Sequence, residues 1–157
     1  MSLSNLVESK MLNSWNELKG KNKGTTEAVD MSKIVKSADD DLWYNVMHSV
    51  IAFKRGDKYR CYFEVNEIRD KVIDLIAKRN NLESKRYRQI NLLSVEDKDK
   101  IKKMFTYPQT YEELSELLLE MLKYIFEEFE YWDNRARIKF YSDKDFLERF
   151  VLDNCCN

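Results

Sequence analysis

Apolar residues along the chain recur at two different spacings. Leu6 or Val7, Met11, Trp15 and Leu18 repeat at helical intervals until the Gly20 to Gly24 stretch interrupts them, which predicts a first helix and a linker-like loop over 19–27. Ser37 followed by Asp39, Asp40 and Asp41 predicts an N-cap with an acidic first turn. Leu42, Trp43, Val46, Met47, Val50 and Ile51 carry that helix onward on one buried face. Arg55-Gly56-Asp57 then reads as a turn, not as an adhesion tripeptide. From Lys58 to Val65 the period changes to two: Tyr59, Cys61, Phe63 and Val65 alternate with Lys58, Arg60, Tyr62 and Glu64, and a strand is predicted.

Helical spacing returns after Asn66, with Ile68, Val72, Leu75 and Ile76, and Asn80-Asn81 stands at the end where a glycine would be usual. A short helical segment is expected from Ser84, and another from Ser94 with Asp97, carrying Ile101, Met104 and Phe105. Beyond Pro108, Thr110 and Glu113 form a capping box for a long helix. Its wide apolar stripe holds Leu114, Leu117, Leu118, Met121, Leu122, Ile125, Phe129 and Trp132. Ala136, Ile138 and Phe140 alternate with Arg135, Arg137, Lys139 and Tyr141, a second predicted strand, before Ser142 caps a last helix through Phe146, Leu147, Phe150 and Val151. Residues 154–157 read as a frayed tail. The expectation is therefore one α+β domain over 1–157, mostly helical, with six or seven helices and a small antiparallel sheet of two or three strands.

Composition narrows the function. The chain has 157 residues, 43% hydrophobic and 35% charged, enough apolar material for a core beneath a heavily solvated surface. Its glycines are Gly20, Gly24 and Gly56 and its one proline is Pro108, so hairpin-rich sandwiches lack their turn chemistry and neither glycine-rich phosphate loop can be written. No apolar run reaches the length of a membrane span and the first residues do not read as a secretory signal. With cysteines at 61, 155 and 156 and no Asn-x-Ser/Thr acceptor, a cytoplasmic protein is expected. The same cysteines and the single His48 show no metal-ligand spacing, and no cofactor is expected. Asp39-Asp40-Asp41 diverge around a helix, while Asp57 and Glu64 sit at opposite ends of the first predicted strand, so a metal-dependent hydrolase would need scattered carboxylates to converge. No reactive centre is expected.

Charge then supplies candidate surfaces. The net charge of −1 hides a gradient: counting basic minus acidic residues gives +1 over 1–65, +4 over 66–105 and −6 over 106–157. If the two strands pair, Lys58, Arg60 and Tyr62 share an outward face with Arg135, Arg137, Lys139 and Tyr141, a basic and aromatic platform. A second basic group, Lys78-Arg79 and then Lys85, Arg86, Tyr87 and Arg88, has the outline of a helix pair without the tight turn of a DNA-reading motif. Glu113, Glu116, Glu120, Glu127 and Glu130 line the long helix opposite its apolar stripe. Those near its C-terminus need a compensating cation such as Arg135 or a basic partner. The sequence thus describes a non-catalytic intracellular binding protein, an inhibitor, immunity, adaptor or regulatory protein, with a protein partner. The alternative is nucleic-acid binding through the basic sheet face or the basic helix pair over 78–89.

Overall fold

The computed structural model describes residues 5, 8–13 and 27–156. The chain divides into two units, Met1–Asp30 and Met31–Asn157. In the first, residues 8–13 are helical and exposed, inside the span expected for the first helix. Trp15, Leu18 and most of the predicted 19–27 loop lie outside the described residues. The helices that follow are α1 (Glu27–Lys54), α2 (Lys58–Arg79), α3 (Val95–Met104), α4 (Tyr111–Ala136) and α5 (Lys144–Cys155), with single 3-10 turns at Lys85–Tyr87 and Ile90–Leu92 between α2 and α3. Among the described residues there is no strand, so the fold is all-helical and the expected α+β architecture is wrong.

Two local misreadings produce that error. Lys58–Val65 is the first third of α2, capped by the Asp57 carboxylate, which accepts from the Arg60 N–H at 3.0 Å. In the helix the buried register is Cys61, Glu64, Val65, Ile68, Arg69 and Val72. Tyr59, expected in a strand core, is 86% exposed, and Glu64, expected outside, is fully buried. Asn45 Nδ2 and Arg60 Nε donate to its two carboxylate oxygens at 2.8 Å each. The second predicted strand falls at the end of α4 and in the irregular segment after it. Ile138 and Phe140 do pack on the core, as the alternation implied, but no neighbouring strand supplies a ladder.

The chain turns between helices with few glycines. Gly56, at φ +76°, ends α1 with the Asp57 N–H bonded to the Ala52 carbonyl and its own N–H to the Phe53 carbonyl. Asn81 repeats this geometry at φ +55°, with Leu82 N–H on the Ala77 carbonyl, as the sequence position suggested. Arg137, also at +55°, closes α4.

Helix α4 is the centre of the second unit. Its buried residues, from Leu114 through Phe129, cover too wide an arc for one neighbour, and it packs against α2, α3 and α5. The Thr110 cap is as expected, accepting from Glu113 N–H, while Glu113 Oε2 takes the Gln109 N–H. Helix α1 starts well before the expected Ser37 cap, which lies inside it. Asp39, taken for a first-turn charge, is instead buried and accepts the backbone N–H groups of Tyr141 and Ser142, fastening the approach to α5. Asp143, not Ser142, caps α5. Trp43 joins α1 to α5 through Phe146 and Phe150, and Cys155 is buried in the last turn where a frayed tail was expected.

Arg79 ties three helices. Its guanidinium meets Asp97 of α3 at 2.8 Å and Glu128 of α4 at 2.9 Å. Burial opposes its charge, but the two carboxylates outweigh burial and hold its pKa above the ordinary value. Burial raises the pKa of Glu128, which Arg79 only partly offsets.

Three stability measurements follow from this packing. In urea unfolding, Tyr59→Lys should change stability by less than about 0.5 kcal/mol and Glu64→Ala should cost about 1–3 kcal/mol, the reverse of what a strand would give. Arg79→Ala, which strands two carboxylates, should cost about 3 kcal/mol. Folded Glu128 holds its proton more tightly than the unfolded side chain, so between its unfolded pKa and its higher folded one its contribution to stability falls as pH rises. Glu128→Gln should remove that slope from a pH series of urea unfolding curves.

Candidate interaction surface

An extended segment runs antiparallel along α2. Arg69 Nε donates to the Met104 carbonyl at 2.8 Å, Tyr62 Oη to the Pro108 carbonyl at 3.2 Å, and Lys58 Nζ to Gln109 Oε1 at 3.1 Å. Five residue steps of the segment thus lie along eleven of the helix. Pro108 needs no N–H partner there and is buried. Phe105 and Tyr107, two residues apart, emerge exposed from the segment.

Their rings continue into α2 and the turn after it. Tyr107 meets Tyr62 edge to face at 5.2 Å, and the Arg69 guanidinium lies 4.6 Å over the Phe105 ring. Phe105 in turn meets Tyr87 at 5.8 Å. Arg69 is itself buried, with a second bond to Asn66, and burial lowers its pKa. The result is a ridge of Tyr62, Tyr107, Arg69, Phe105 and Tyr87, in which Tyr107 is 63%, Phe105 46% and Tyr87 44% exposed.

The basic group at 78–89 is no helix pair. After Arg79 the chain makes only 3-10 turns, so the expected second helix is absent. Arg86 and Tyr87 both occupy the left-handed region, at φ +55° and +57°, where non-glycine residues carry steric strain. The turn is bolted to α2 by two hydroxyls: Ser84 Oγ donates to Asp74 at 2.6 Å, and Tyr87 Oη to Asp70. Burial, then the Asp70 bond, pushes the Tyr87 pKa up to about 12. A hollow of about 350 Å³ lies between Asp70, Ser84, Lys85, Arg86 and Tyr87. Lys85, Arg86 and Arg88 are exposed and make no ion pair among the described residues.

The other expected site residues do not form a shared face. Without a sheet, nothing pairs Lys58, Arg60 and Tyr62 with Arg135, Arg137 and Lys139. Arg60 is held by Glu64, Arg135 lies 5.9 Å over Tyr131 at the end of α4, Arg137 is a helix terminus, and Lys139 pairs with Asp133. Only Tyr62 enters the ridge. Lys100 and Arg79, not Arg135, meet the late carboxylates Glu127 and Glu128. His48 stacks on Tyr44 at 4.0 Å. Asp39, Asp40 and Asp41 diverge to Ser142, Lys36 and Lys71, and no three metal-binding side chains of the described residues are placed to hold an ion. No described helix is long and apolar enough to cross a membrane. No family model matches the chain, and neither a curated protein nor a solved structure is significantly similar to it.

Sequence reasoning missed Arg69, Phe105 and Tyr107. Two signals pointed to them: an arginine on the apolar stripe of α2, and two aromatics spaced two apart just before the lone proline.

Strain at the turn is directly measurable. Arg86→Gly should leave the backbone in place and raise stability by up to about 1 kcal/mol, whereas Arg86→Val should lower it, both read as urea midpoints.

Proposed function

We propose that the chain is a non-catalytic binding protein whose partner is another protein, docked on the exposed rings of Tyr107, Phe105 and Tyr87, which Tyr62 and the buried Arg69 hold in place. The single observation carrying this reading is the ridge itself. Tyrosine is among the residue types that dominate binding energy at protein interfaces, because large amphipathic rings desolvate much area with little entropy loss. Here they are held in advance by edge-to-face contacts and by the Arg69 stack, so little ordering remains to be done on association. The three free cysteines, two of them buried, suit a reducing compartment and support the cytoplasm as its location.

Affinity capture from the source cells, with wild type and a Phe105→Ala/Tyr107→Ala variant side by side, tests the reading. A protein retained by wild type, and weakened by more than about 1 kcal/mol per removed ring with the circular dichroism unchanged, is the expected result. Equal retention by both forms would falsify the assignment.

A further inference from the structure

We infer that the partner presents an acidic surface, and that the strained turn Ser84–Arg88, together with Lys102 and Lys103, is the part of the ridge that reads it. This rests on the protein-binding reading above and names the chemistry of its partner.

The turn carries three exposed cations, Lys85, Arg86 and Arg88, against the two carboxylates of α2 that meet it. The carboxylates of α2 nearest to it, Asp70 and Asp74, are occupied as acceptors for the hydroxyls of Tyr87 and Ser84. Those bonds hold the turn against the helix while its three cations stay exposed. Lys102 and Lys103 close α3 immediately before Phe105, exposed and likewise without an ion pair among the described residues. Lys85, Arg86 and Arg88 therefore flank Tyr87, and Lys102 and Lys103 precede Phe105 in the chain, Lys103 sharing a hollow with Tyr107, Glu113, Glu116 and Glu120, whereas at the opposite end of the ridge Lys58 and Arg60 already have partners. Exposed cations around aromatic anchors attract an acidic protein segment, steering its approach and fixing its register.

Nucleic acid fits these observations less well. Base stacking needs open ring faces, but Arg69 covers one face of Phe105 and the Tyr87–Phe105 and Tyr62–Tyr107 contacts are edge to face.

Fluorescence anisotropy with three labelled probes tests the inference: a peptide of mixed Glu, Asp, Leu and Phe, the same peptide with Gln and Asn for the acids, and a single-stranded oligonucleotide. The acidic peptide should bind at low salt, weaken toward about 0.15 M salt, and lose about tenfold in affinity in Lys85→Ala/Arg86→Gly/Arg88→Ala. Because Arg86→Gly preserves the turn, that loss reads charge and not folding. Arg149→Ala on α5 should have no effect. Absence of binding to the acidic peptide, equal binding of the neutral one, or tighter binding of the oligonucleotide each overturns the inference. If capture of the cellular partner depends on Phe105 and Tyr107 but is untouched by the triple substitution, the docking reading stands and the acidic partner alone falls.

Discussion

Helix α2 carries Glu64, Arg69 and Arg79 into its packed side, and a charge taken out of water costs several kcal/mol unless its partners are already in place. Each of the three is met by a different neighbour. Glu64 takes Asn45 of α1, Arg69 takes the last carbonyl of α3, and Arg79 spans α3 and α4. Apolar burial along α4 supplies the greater part of the driving force, but it is non-directional. The buried charges fix the register in which α1, α3 and α4 meet α2.

The interaction surface is a consequence of that register. Arg69 can reach the Met104 carbonyl only if the chain leaves α3 beside the middle of α2, and the segment to Gln109 must then run back along the helix. Phe105, Thr106 and Tyr107 are all exposed along the segment. A side chain buried for the fold thus presents the aromatic anchors, with its guanidinium lying under Phe105. The basic turn is fastened to the same helix through Asp70 and Asp74, so the cations and the rings sit on one support.

Much of this was legible beforehand. The stripe of α4, the capping pair Thr110 and Glu113, the cap at Ser94, and the helix end at Asn80-Asn81 are local features, and each occurs where the residues place it. The failure at the start of α2 has a clear cause. Eight residues from Lys58 to Val65 satisfy a period of two by apolarity alone, and the helical register is visible only when Glu64 and Arg69 count as buried. Sequence rules treat charged residues as surface, and their burial here depends on Asn45 and Met104, which are distant along the chain.

By itself the sequence determined which segments are helical where apolar spacing is long and unbroken, where those helices are capped, the scarcity of glycine at turns, and the excess of positive charge over 66–105. These are properties of neighbours within a turn or two, set by backbone geometry and local hydrogen bonding. Only the tertiary structure decided that α2 begins at Lys58, that Arg69 lies inside, and that Tyr62, Tyr107, Phe105 and Tyr87 stand together. Contacts across tens of residues depend on which buried charge finds which partner, and a linear pattern does not contain that information.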